Sequence, residues 1–322
     1  METVQNKVSK EQSTLPVYFN LEGVTSVREV VSWYKQNEKV LDRGMLEEGA
    51  ILLQNTNIDT VDGFHDFTES VFPKFRDYID GNYPRRQLKD HVYISTEYDP
   101  IFDITLHNEL SYSENWPSKL VFGCCLPPQE GGETPLVDSR QICKHISRDL
   151  LEELEAKDVK YIRNLHGGSG LGPSWQDTFE TESRAKLEST CNELKIKFEW
   201  RSDGGVKLIS KRPATRFHPI TKEKVWFNQV DQYHPSHFPK EVYETLMLVA
   251  DGNESELPLN VSFGDDTPIT VDIIKEITAT VNELMVVRKW NKSDIVIVDN
   301  MLIGHGRKSY KGNRKIIVSM AV

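Results

Sequence analysis

The chain closes on two short apolar runs, Asp294-Ile295-Val296-Ile297-Val298 and Lys315-Ile316-Ile317-Val318-Ser319-Met320, with His305 and Arg314 between them. Both are β-branched and too short for a core helix, so each reads as a buried strand. Similar runs stand far upstream, at Gly49 to Gln54 and Lys119 to Leu126. Strands so distant in sequence have to be gathered into shared sheets, and the side chains flanking them are gathered with them.

Those flanking side chains include a notable set. Asp103-Ile104-Thr105-Leu106-His107-Asn108-Glu109 alternates so that His107 and Glu109 point to the same side of an extended strand. With nine His and 49 acidic residues among 322, a His-x-Asp/Glu triplet arises about once by chance, so the triplet alone carries little. A lone His at a strand end is most often a hydrogen-bonded structural residue, and an Arg at a strand start is usually solvated. The combination weighs more: the triplet, His305 in a Gly-flanked segment beyond its own strand, and Arg314 opening the last one. Two imidazoles and one carboxylate on one face of a metal are the ligand set of non-haem Fe(II) sites, with the opposite face left open. The guanidinium of Arg314 is suited to a bidentate grip on a carboxylate, which a Lys point charge does less specifically.

Length and composition bound the alternatives. A chain of 322 residues, 38% hydrophobic and 27% charged, buries a large core as an ordinary globular protein. Its net charge of −10 argues against a nucleic-acid or anionic-membrane partner, since phosphate is bound mainly through clustered Lys and Arg. No secretory leader pattern opens the sequence and no apolar stretch approaches the length of a membrane span, so a cytoplasmic location is expected. Cys124, Cys125, Cys143 and Cys191 show no C-x-x-C or zinc spacing and read as reduced core residues.

Along the chain, residues 1–15 read as a loose N-terminal segment and 16–322 as a single domain with no linker. Helical spacing is expected from Thr25 to Asn37, Asp62 to Phe75, Ser139 to Lys157, Glu180 to Leu194 and Val271 to Leu284. Short strand-like pieces are expected at Lys197 to Trp200, Lys207 to Ile209, Arg216 to Pro219 and Lys224 to Phe227. The glycines of Gly167-Gly168-Ser169-Gly170-Leu171-Gly172 miss both phosphate-loop and dinucleotide spacings. That segment, with Trp175 and Phe179, reads as a lid of mobile backbone and closing aromatics, an ordinary surface loop being the competing reading. The fold class expected is α+β: a double-stranded β-helix, or jelly roll, with helical inserts.

At this point the motifs resemble a known family. Leu106-His107-Asn108-Glu109, Trp116-Pro117-Ser118-Lys119, Gly131-Gly132-Glu133-Thr134-Pro135, Val225-Trp226-Phe227-Asn228-Gln229, Asp299-Asn300, His305-Gly306-Arg307 and Arg314 stand in collinear order. Together they are similar to the taurine dioxygenase-like 2-oxoglutarate oxygenases, and within them to the clavaminate synthase and syringomycin-type hydroxylase branch. The resemblance implies Fe(II) held by His107, Glu109 and His305, 2-oxoglutarate held by Thr134 and Arg314, with Arg307 as the alternative clamp, and O2 as co-substrate. It places Asn108, Asn228 and Gln229 near the substrate by position. Arg216 is a further basic candidate for an anionic group there. Halogenating relatives replace the carboxylate ligand by a small residue, so Glu109 favours hydroxylation, with desaturation and cyclisation as the alternatives.

The expected substrate is an amino acid or related small acid, free or tethered to a carrier protein. A catabolic sulfonate-type dioxygenase and a non-catalytic jelly-roll binding protein are the alternatives. Formation of succinate from 2-oxoglutarate separates the last from the others.

Overall fold

The computed structural model describes residues 15–81 and 85–322. The expected loose segment of residues 1–15 lies outside them except for Leu15, which is buried. In chain order the elements are β1 (Val17–Asn20), α1 (Val27–Glu48), β2 (Ala50–Gln54), α2 (Val61–Val71), β3 (Gln87–Lys89), β4 (Val92–Ile94), β5 (Ile104–His107) and β6 (Lys119–Leu126). The middle adds β7 (Glu130–Gly131), β8 (Leu136–Asp138), α3 (Ser139–His145), α4 (Arg148–Lys157), β9 (Val159–Leu165), α5 (Trp175–Phe179), α6 (Arg184–Glu193), β10 (Lys197–Trp200) and β11 (Val206–Arg212). β12 (Thr215–Phe217), β13 (Lys224–Trp226), α7 (Val230–Tyr233), α8 (Lys240–Val249), β14 (Leu259–Phe263) and α9 (Val271–Leu284) follow. The chain ends on β15 (Ile295–Asp299), β16 (Ile303–Arg307), β17 (Tyr310–Lys311) and β18 (Lys315–Ala321).

The apolar runs assemble as their composition requires. They form a seven-stranded sheet in the order β1-β2-β15-β6-β18-β4-β3. Period-two alternation sends Ile51, Leu53, Val121, Ile295, Ile297 and Ile317 to one face, beneath α1 and α2. Leu52, Leu120, Phe122, Val296, Val298, Ile316 and Val318 go to the other. That second face packs against Leu136 and Ile303 of a three-stranded sheet, β5-β16-β8. Gly123 is required in β6, because a Cβ there would stand 2.5 Å from the Phe64 ring of α2.

A separate four-stranded sheet, β10-β11-β9-β14, carries the middle of the chain. Its strands β9 and β14 were not anticipated. Arg163 interrupts the apolar pattern of β9, yet it is buried and ion-paired with the buried Asp80, a partner far away in sequence. The first helix is longer than its early periodicity suggests: Leu41 and Met45 continue the buried stripe, and Gly49 stops it in a left-handed conformation at φ 79°. The stretch expected to be helical from Ser139 to Lys157 is two helices, because Ser147 caps a new one by accepting from the Leu150 N–H. The four cysteines are free, and burial pushes the Cys124 thiol up to about 12, which leaves it inert. Among the described residues no helix is long and apolar enough to cross a membrane.

Candidate metal centre

β5 and β16 pair so that His107 and His305 stand directly opposite each other. The approach is close because Gly306 has no side chain: a Cβ there would lie 2.5 Å from the Ile104 carbonyl oxygen. The imidazole centroids are 4.5 Å apart, and the Phe122 ring lies 5.2 Å from that of His305. One ligand atom each from His107, Glu109 and His305 falls within 4.8 Å of the others. His305 Nε2 is 3.6 Å from Glu109 Oε2.

Glu109 does not reach this position as a strand residue. β5 ends at His107, and Leu110 turns the chain at φ 54°. The backbone of Glu109 is instead held by Asn300, whose Oδ1 accepts from the Glu109 N–H (2.7 Å) and whose Nδ2 donates to the Glu109 carbonyl (2.9 Å). The same amide also donates to the Pro117 carbonyl (2.9 Å). The His107 ring is oriented by its Nδ1–H, which donates to the Thr105 carbonyl at 2.9 Å and leaves Nε2 for the site. Replacing Asn300 by alanine is expected to weaken metal binding by roughly 10–100-fold, as loss of an outer-shell partner does. Competition titration with a chelator checks this; unchanged affinity would mean that the turn holds Glu109 unaided.

Electrostatics leave His107 and Glu109 in complementary states. Burial, reinforced by the neighbouring His305, pushes the His107 pKa down to about 3, so the ring is neutral. Burial alone would raise the Glu109 pKa, but Arg85 and the two imidazoles outweigh it and hold the carboxyl well below the usual range. Both folded pKa values lie below their unfolded counterparts. On acidification below about pH 6.5 the unfolded chain therefore takes up protons that the folded one refuses, and stability declines. Denaturant unfolding of the metal-free protein at pH 7 and pH 5 is expected to show this decline, shallower in His107→Gln. Identical slopes in the two proteins would remove His107 from the linkage.

The cavity containing His107 and His305 is also lined by Arg85, Ser95, Thr134, Arg307 and Arg314, and by no acidic side chain among the described residues. Arg314 precedes β18; its Nε donates to the Gly132 carbonyl (3.0 Å) and its Nη1 to Ser95 Oγ (3.3 Å). Burial and the neighbouring Arg307 push its pKa down to about 10, the signature of a cation lacking a counter-anion. Thr134 Oγ1 accepts from Trp290 Nε1 at 3.1 Å, which leaves the Thr134 O–H to donate. Arg307 lines the same cavity, but its Nη atoms donate to the carbonyls of Tyr98, Asp99 and Phe102 at 2.6–2.7 Å. Those bonds tie down a loop and commit the guanidinium to it.

The residues expected near a substrate are placed differently. Asn108 donates to the Asn300 carbonyl (2.8 Å) and Ser139 Oγ (3.1 Å), and Gln229 donates to the Asn108 carbonyl (2.9 Å). Asn228 donates to the Ala214 carbonyl at 2.7 Å. All three are buried, absent from the cavity lining, and spend their amides on backbone and hydroxyl partners. Arg216 lies over the Trp116 ring at 4.4 Å, 3.9 Å from Glu114, and does not line the cavity either.

A much larger chamber, about 740 Å³, lies on the other side of Arg85, which lines both spaces. Gly172, Pro173, Gln176 and Asp177 of the expected lid line it, but Trp175 and Phe179 do not close over it. Those aromatics are core anchors, packed with Leu165, Leu187 and Leu208. The lightly packed wall is α8, which buries none of its residues and presents Val242 and Leu246 to the chamber. Arg85 is the principal residue beside the triad missed from sequence; nothing periodic in the sequence around it marks it.

The family described as taurine catabolism dioxygenase TauD, TfdA matches residues 12–320. The dapdiamide synthesis protein DdaC of Enterobacter agglomerans is 30% identical over 280 residues, covering 87% of this chain and 84% of that protein. A clavaminate synthase-like protein of Arabidopsis thaliana is 27% identical over 294 residues, with 89% and 85% covered. Among solved structures, AAD-2 in complex with Mn(II) and N-oxalylglycine aligns at TM-score 0.54 and 13% identity over 94% of this chain and 93% of that one. PvcB of Pseudomonas aeruginosa aligns at TM-score 0.52 and 14% identity, with 95% and 84% covered; both show a shared fold. The chain thus belongs to the TauD, TfdA family and is a 2-oxoglutarate-dependent non-haem iron dioxygenase, with Fe(II), 2-oxoglutarate and O2 as its cofactor and co-substrates.

Proposed function

We propose that this enzyme hydroxylates an unactivated C–H bond of an amino acid or related small acid. In this reading His107, Glu109 and His305 hold Fe(II), and Arg314 with Thr134 holds 2-oxoglutarate. The carrying observation is that His107, Glu109 and His305 bring two imidazoles and one carboxylate together, and that the two imidazoles line a cavity with three arginines and no acidic side chain among the described residues. The donor set fits divalent iron: a neutral His107, an ionised Glu109 and His305 would supply three protein donors and leave room for the co-substrates. The seven-stranded and three-stranded sheets, packed through Leu136 and Ile303, are read as the two walls of a double-stranded β-helix.

When bound, the metal and the keto acid supply the oxidising chemistry, releasing succinate and CO2. The protein's own part is positional. Asn300 fixes the backbone of Glu109, the Thr105 carbonyl sets the tautomer of His107, and Arg314 offers charge-assisted hydrogen bonds to a carboxylate. A relative named for dapdiamide synthesis supports a biosynthetic amino-acid-type substrate over a catabolic sulfonate. The test is turnover with Fe(II), 2-oxoglutarate and O2 against amino acids, N-acyl amino acids and small sulfonates. Succinate formed in step with an amino-acid product heavier by one oxygen atom supports the reading; coupled turnover of sulfonates alone contradicts it.

A further inference from the structure

Arg85 is the most unusual side chain outside the proposed cofactor set. Its Nη2 donates to Glu109 Oε2 at 2.6 Å, and its guanidinium carbon lies 4.3 Å over the Tyr78 ring. The side chain is 8% exposed, and Nη1 is buried with no hydrogen-bond partner. A buried guanidinium donor left unpaired is costly and calls for an acceptor, which beside a cavity a bound ligand can supply. Among the described residues Arg85 alone is common to the linings of the triad cavity and the large chamber.

The chamber has a polarity. At one end it meets Arg85, whose charge is balanced by Glu109 but whose Nη1 is left without an acceptor; the second arginine of the lining, Arg163, is spent on Asp80. Its walls are Leu165, Phe238, Val242, Leu246 and Leu259, and the exposed Asp177 and Glu180 add negative charge. An acid head that reaches Arg85 meets a charge-assisted donor that no protein group takes. A volume of about 740 Å³ is that of a site for a drug-sized molecule, which an amino acid or small acid fills when it carries a long apolar substituent such as an N-acyl chain.

Resting on the oxygenase reading above, we propose that the substrate is a free amphipathic acid: an oxyanion head bound by Arg85 and an apolar body lying along α8. The head is a carboxylate or a sulfonate that is not itself esterified, because a carboxyl tied up as a carrier thioester has no anion to offer Arg85. Arg85 thereby sets both the class of substrate and which end of it approaches the metal.

The test uses three probes with one body: N-octanoylglycine, N-octanoyltaurine and N-octanoylglycinamide. They are titrated calorimetrically into protein loaded anaerobically with Fe(II) and 2-oxoglutarate, after the visible charge-transfer band of that chelate has been recorded in the same sample. At least one anionic probe is expected to bind ~10-fold or more tighter than the neutral amide, the scale of charge-assisted bonds to a buried Arg. The carboxylate-to-sulfonate ratio identifies the head. Arg85→Gln is expected to erase the preference, and Leu246→Trp to weaken every octanoyl probe by filling the chamber. Equal binding of the three probes, no binding by any, a preference that survives in Arg85→Gln, or undiminished binding in Leu246→Trp overturns the proposal. Should Arg85→Gln not fold, the comparison of probes on the parent protein still decides. A band without an anion preference leaves the oxygenase reading standing and removes only this inference; no band removes both.

Discussion

His107→Ala and His305→Ala each abolish Fe(II)-dependent turnover while leaving the fold in place. The loss is expected to exceed the roughly 10–100-fold typical of a residue that merely orients a ligand, because each change removes one of the three groups proposed to hold the metal. The fold survives because β5 and β16 are paired by backbone hydrogen bonds, and neither imidazole is part of the apolar core. Glu109→Ala is a less clean test. It strips the buried Arg85 of its carboxylate partner, and breaking a buried ion pair is strongly destabilising. The check is succinate formation together with the thermal unfolding midpoint. Normal succinate production by either histidine variant would refute the triad.

Arg314→Ala should raise the 2-oxoglutarate requirement by roughly 10–150-fold, the worth of a hydrogen-bonded charge, with a smaller change in kcat. The argument is electrostatic. Arg314 is buried, its pKa is pushed down to about 10 by burial and by Arg307, and only neutral groups accept its hydrogen bonds. An anion in that cavity relieves the penalty, so truncation costs binding of the keto acid rather than the metal. The KM for 2-oxoglutarate measures it. An unchanged KM would transfer the clamp to Arg307, whose bonds to Tyr98, Asp99 and Phe102 would then have to break on binding.

The gathering of His107, Glu109 and His305 was legible because they sit beside strands that composition alone marks as buried. The β-branched runs around His305 need no distant partner to be recognised, and the pairing of His107 with His305 follows once those strands share a sheet. What alternation could not reveal was the turn at Leu110 and the Asn300 tether, so Glu109 was expected on the strand and is found beyond it. Asn108, Asn228 and Gln229 illustrate a second limit. An amide has donors and acceptors for either a substrate or a backbone, and only the fold decides which it meets. Trp175 and Phe179 illustrate a third, since aromatics in a glycine-rich segment serve equally as a closing lid or as anchors in a core. Arg85 and Arg163 were invisible for a shared reason: each is buried against a carboxylate distant in sequence, Glu109 and Asp80, and local pattern carries no record of such a partner.

The most direct test of the central claim is anaerobic titration of the purified protein with Fe(II) and 2-oxoglutarate, following the weak visible charge-transfer band of the chelate. The account predicts that the band appears in the parent protein and is lost in His107→Ala. A well-folded, iron-replete parent without the band, or a His107→Ala variant that retains it at full strength, would contradict the assignment of His107, Glu109 and His305 as the metal ligands.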